Sequence, residues 1–135
     1  MPSTHRPVRP RRQQKPAARP ADRLIDNGRG GKTLALRARL GLTREAFGRL
    51  VATSTRTLAA VEAGRPPAEP LRRRLIELGR IVEALAEVVA PDAVGEWLVR
   101  PNEAFDGFKP VELIERGHAD RIWRMIFLLQ TGSPG

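Results

Sequence analysis

The residues of this chain whose types could do chemistry concentrate between Leu42 and Gly64, where Arg44, Arg49 and Arg56 are interspersed with Thr43, Thr53, Ser54, Thr55 and Thr57. Their spacing describes two short helices joined by a tight turn at Ala52-Thr53, the arrangement that presents a helix to the major groove of double-stranded DNA. The chemistry is recognition rather than catalysis. A catalytic site needs a nucleophile beside a base, or paired carboxylates in a pocket, whereas helical carboxylates such as Glu83 and Glu87 read as a solvated face. With no cysteine and only His5 and His118, neither a disulfide nor a cluster of metal ligands is expected, and no cofactor is expected either. The stretch from Asp26 to Thr33 ends like a phosphate-binding loop. Asp26 stands where its first glycine belongs, however, and no strand precedes it, so it reads as a flexible basic hinge.

Positioning those residues requires helices with defined ends, and the sequence marks them. A first helix carries Leu34, Leu36 and Leu40 and is closed by Gly41. Thr43 caps a second, with Leu42 and Phe47 spaced as a hydrophobic staple. Ser54 caps a third, which Gly64 stops and Pro66-Pro67 keeps from continuing. A longer helix is predicted over 69–90, because Leu71, Leu75, Leu78, Val82, Leu85 and Val89 alternate spacings of four and three as an intramolecular core stripe. Pro91 breaks it. Further helices are predicted over 92–99, 110–115 and 119–130, with 100–109 a turn-rich link and Trp97 and Phe105 as core aromatics. No segment alternates with the period of a strand, so the expected fold is all-α. A chain of 135 residues is also too short for a substrate-binding enzyme fold with cover layers.

The net charge of +9 is unevenly placed: residues 1–32 hold nine Lys or Arg against Asp22 and Asp26, and the remainder is close to neutral. Residues 1–31 are rich in Pro, Arg and Gln and hold few large apolar side chains, so they cannot bury enough surface to offset the entropy of ordering. They read as a disordered basic arm. In this reading Arg9, Arg11 and Arg12, with Lys32 just beyond, supply phosphate attraction while the folded body supplies selectivity. The expected organisation is the arm over 1–31, a helix-turn-helix unit over 32–67 and a helical C-terminal unit over 68–135. No apolar stretch approaches a membrane span and no apolar signal region follows the basic N-terminus, so a cytoplasmic protein without a membrane partner is expected.

Residues 34–64 resemble the Xre-type, lambda-repressor-like helix-turn-helix family. Phe47, Leu50, Leu58 and Val61 fall on its buried positions, and Gly48 and Ala52 fall where it has small residues. Carried over position by position, the resemblance implies that the third helix lies in the major groove with Ser54, Thr55, Arg56 and Ala60 facing the DNA, and that Arg44 approaches a phosphate or a flanking base. Arg56 is then the main specificity determinant, because a bidentate arginine on a guanine edge is worth about 1 to 3 kcal/mol against a wrong base. A structural ion pair between Glu62 and Arg37 is implied as well, apart from the DNA contacts. Residues 96–132 are similar to the Xre/MbcA/ParS toxin-binding domain in Trp97-Leu98, Pro101-Asn102, Ala104-Phe105, Gly107, Lys109-Pro110, Leu113-Ile114 and Gly132. Together the two resemblances imply a dimeric DNA-binding autorepressor that is also the antitoxin of a RES-type, NAD-consuming toxin. The closing helix is apolar on more than one face, which leaves Trp123 and Phe127 to meet such a partner.

The basic arm lies outside that family's pattern and keeps a second reading open. A temperate-phage immunity repressor, bound as a monomer to an asymmetric operator, would use its arm or C-terminal unit for the second DNA contact, with Arg116, His118, Arg121 and Arg124 on phosphates. Homodimer and DNA-bound monomer are both compatible with these residues.

Overall fold

Residues 31–132 are described by a computed structural model; Arg9, Arg11 and Arg12 of the arm lie outside the described residues. Among the described residues seven α-helices follow one another: α1 (Gly31–Leu40), α2 (Arg44–Leu50), α3 (Thr55–Glu62), α4 (Glu69–Leu85), α5 (Val94–Leu98), α6 (Pro110–Glu115) and α7 (Ala119–Thr131). Short 3-10 turns precede α5 at Pro91–Ala93 and α6 at Glu103–Phe105. The fold is all-α, as the absence of any period-two segment implies.

The start of α1 corrects one expectation. Its buried side chains are Thr33, Leu36 and Leu40, while Leu34 is 42% exposed. Residues two apart lie about 200° apart around a helix, so Leu34 and Leu36 cannot share a face. The face that includes Leu40 wins because it meets α3 and α5. The long helix also ends earlier than its stripe suggests, at Leu85 rather than Ala90. Ala90 takes ψ 133 ahead of Pro91, the extended conformation that a following proline imposes, and the residues between unwind into turns that leave Val89 only half-buried. The same proline divides the predicted 92–99 helix into a 3-10 turn followed by α5.

One cluster of buried side chains runs from Leu36 and Leu40 through Phe47, Leu58, Leu75, Ile81 and Leu98 to Ile122 and Ile126, so residues of both predicted units share it. Three contacts seat the later helices on the earlier ones. A Cβ added at Gly95 of α5 would lie 2.6 Å from the carbonyl oxygen of Leu40 at the end of α1, an approach that only glycine permits. Arg49 of α2 pairs with Glu115 of α6 at 3.8 Å. The Trp123 Nε1–H of α7 donates to Glu77 Oε2 of α4 at 2.8 Å. The link over 100–109 is held by Asn102, whose Oδ1 accepts from Ala104 N–H at 2.9 Å, and by the buried Phe105, which meets the Trp97 ring edge-on at 6.2 Å.

Candidate functional site

The recognition geometry begins with two capped N-termini. Thr43 Oγ1 accepts from Ala46 N–H at 3.1 Å, opening α2. Ser54 Oγ accepts from Thr57 N–H at 3.0 Å, opening α3. Between them the chain turns through Ala52 at φ 56, a left-handed conformation that costs a non-glycine residue something, and the turn is held by Ala52 N–H donating to the Arg49 carbonyl at 3.3 Å and Thr53 N–H to the Gly48 carbonyl at 2.9 Å. Gly48 lets the turn close, because a Cβ there would stand 2.8 Å from the Thr53 carbonyl oxygen. Phe47, Leu58 and Val61 are buried, which fixes how α3 lies against α2.

Glu62, at the end of α3, joins three helices. Its side chain is 3% exposed. Oε2 accepts from Arg37 Nε at 2.6 Å, while Oε1 accepts from Arg37 Nη2 at 3.1 Å and from Arg44 Nε at 2.9 Å. Arg37 Nη1 donates in turn to the Leu42 carbonyl at 3.1 Å. Burial pushes the Glu62 carboxyl upward, but the hydrogen bonds and charges of Arg37 and Arg44 outweigh it and hold the group below the ordinary carboxylate range. The hydrogen bond to Glu62 correspondingly raises the pKa of Arg37.

The two N-termini frame an open cleft of about 670 Å³ lined by Arg37, Thr43, Arg44, Glu45, Thr55, Arg56 and Ala59. Arg44, Thr55 and Arg56 are thus brought together and exposed. Ser54 stands beside them with its hydroxyl already committed to the cap and donating to Thr57 Oγ1 at 3.1 Å. Ala60 is half-buried, and Lys32 is exposed in the first turn of α1, outside the residues lining the cleft. Sequence reasoning missed two features: the acidic Glu45 in the cleft wall, and the tie between Arg44 and Glu62, which no local spacing announces across eighteen residues. The implied Arg37–Glu62 pair is present.

The second exposed feature lies on α7. Phe127 is 62% exposed and Leu129 53%, whereas Trp123 is half-buried against α4. The basic residues considered for a second DNA contact are largely engaged: Arg121 pairs with Asp106 at 3.4 Å, Arg124 with Asp120 at 4.0 Å, and Arg116 stands 5.0 Å over the Phe108 ring, while His118 is exposed. Among the described residues no helix is long and apolar enough to cross a membrane, and no group of His, Cys, Asp or Glu is placed to hold a metal.

The described body is all-helical, with an open cleft between two capped helix N-termini and two exposed apolar side chains, Phe127 and Leu129, on α7. No family model matches the chain. It is 37% identical over 95 residues to the mycobacterial cidal antitoxin MbcA of Mycobacterium tuberculosis and of Mycobacterium bovis, a match covering 70% of this chain and 84% of the relatives. A chain in the crystal structure of the M. tuberculosis MbcT-MbcA toxin-antitoxin complex matches with a TM-score of 0.61 and 31% identity, covering 77% of this chain and 95% of that one. The chain belongs to the MbcA antitoxin family. These likenesses give the phage-repressor reading no support.

Proposed function

We propose that this protein is an antitoxin that binds a RES-type toxin and also binds double-stranded DNA as the repressor of its own gene. The observation that carries the DNA half is the convergence of Arg44, Thr55 and Arg56 on one open cleft at two capped helix N-termini. In this reading α3 enters the major groove, where Thr55, Arg56 and the methyl of Ala60 meet base edges. Ser54 serves chiefly to hold the end of α3 that they approach. Residues 32–67 read the DNA, and Lys32 and the arm, through Arg9, Arg11 and Arg12, add phosphate attraction that is strongest at low salt. Residues 68–135 hold the toxin. What supports that half is the family, a member of which is solved in the MbcT-MbcA toxin-antitoxin complex, together with the exposed Phe127 and Leu129 of α7.

The test is a footprint of the full-length protein on the DNA upstream of its own gene. Protection of two inverted half-sites about one helical turn apart is the result expected for a dimeric autorepressor. Protection of a single asymmetric site would make the DNA-bound form a monomer. No protection at low or physiological salt would remove the DNA half and leave an antitoxin that acts on protein alone.

A further inference from the structure

A guanidinium has five N–H donors, one on Nε and two on each Nη. The two arginines that meet at Glu62 spend theirs differently. Arg37 bonds through Nε, Nη1 and Nη2, and its side chain is 19% exposed, so each of its three nitrogens is already engaged within the fold. Arg44 is 47% exposed and, among the described residues, bonds only through Nε. Its two Nη groups, the edge that forms a planar fork, belong to a side chain lining the open cleft beside Thr55 and Arg56. Arg56 has no carboxylate partner among the described residues and is exposed, so binding must restrict all of its rotamers.

We propose that Glu62 is a positioning residue for DNA recognition and that Arg44, preset by it, is the arginine whose fork makes the bidentate contact. This rests on the DNA reading above. The contact needs two oxygen or nitrogen acceptors side by side, supplied by a guanine edge or by a phosphate, and anchoring through Nε leaves both Nη groups available to them. An anchored fork loses less rotamer freedom on binding than a free one. Arg56 then contributes charge and adaptable hydrogen bonds. This reverses the ranking that sequence position gives the two arginines.

The test uses a duplex selected from a randomised pool by the full-length protein and a scrambled duplex of equal length. Arg44→Lys keeps the charge but loses the fork and its Nε anchor. Because removing Glu62 alone strands Arg37, the anchor is removed by the double change Arg37→Met, Glu62→Met, which replaces a buried ion pair by apolar side chains of similar size. Circular dichroism confirms that each variant is folded at the binding temperature. Both variants should bind the selected duplex at least about 5-fold more weakly, and the triple variant combining them should lose no more than either. Loss confined to the selected duplex identifies a guanine edge as the acceptor, and equal loss on both identifies phosphate. If the folded double variant binds as tightly as wild type, or the losses add in full, Glu62 does not position Arg44 and the proposal falls. If wild type binds neither duplex, it is the DNA reading itself that fails.

Discussion

Around α2 and α3 the exposed groups are mainly arginines and hydroxyls, of which Arg44 is held from below by a buried carboxylate, whereas along α7 the exposed groups include Phe127 and Leu129, beside charges that cancel in short-range surface pairs. The first surface carries donors for directional bonds, and a network supports it. Glu62 holds two guanidiniums, each capped N-terminus fixes the start of a helix, and Gly48 closes the turn between them. The second surface is apolar, and burying it would need only area and shape, since apolar burial is non-directional. In the proposed reading the two regions differ in where the ordering cost falls: for Arg44 before binding, through its tie to Glu62, and for the side chains of α7 at binding.

The largest effect expected from breaking this contrast is in stability. Glu62→Ala leaves Arg37 without its carboxylate in a site that is mostly buried, and should lower unfolding free energy by about 3 kcal/mol or more in urea titration. On the other surface, Phe127→Ala should weaken toxin binding by about 2 kcal/mol in calorimetry while changing stability by less than about 0.5 kcal/mol, because an exposed side chain leaves no cavity. A full loss of stability in Phe127→Ala would show that the face is structural. Gly95→Ala, which forces a Cβ against the Leu40 carbonyl, should cost roughly 1 to 3 kcal/mol, and the cost should appear in the melting of α1 as well as of α5.

Acid provides a smaller test. The carboxyl of Glu62 sits below its ordinary range when folded, so the unfolded chain takes up its proton first as pH falls. Its contribution is present in full above about pH 4.3, the unfolded value, and is lost as pH drops through the lower folded value. The urea midpoint should therefore fall more steeply between pH 5 and pH 3 for wild type than for the Arg37→Met, Glu62→Met variant. Smallest of all, Arg124→Ala should shift stability by less than about 0.5 kcal/mol, since its pair with Asp120 is largely exposed.

Local rules carried most of the fold. Thr43 and Ser54 are caps because their side chains reach the third amide onward, and Gly41 and Gly64 close helices at positive φ, all of which depends on near neighbours in sequence. Leu34 misled because a leucine counts toward periodicity whichever face it occupies, and only the arrival of α3 and α5 decides which face of α1 is covered. The same ambiguity joined Trp123 to Phe127: spacing shows that α7 is apolar on more than one face, and packing against Glu77 of α4 then separates the half-buried Trp123 from the exposed Phe127. The Arg37–Glu62 pair was legible through family position. The Arg44 tie was not, because Arg44 carries the charge and location of a DNA contact whether or not its Nε is held.

The seating of Gly95 on the last carbonyl of α1 bears on how long the protein survives in a cell. Because the cover of α1 comes from a helix that lies beyond α4, a protease that nicks the loop over 63–68 and separates the pieces would strip Leu36 and Leu40 of part of their packing and leave neither fragment with a complete core. Turnover should therefore be all-or-none, and the lifetimes of the two surfaces cannot be tuned separately.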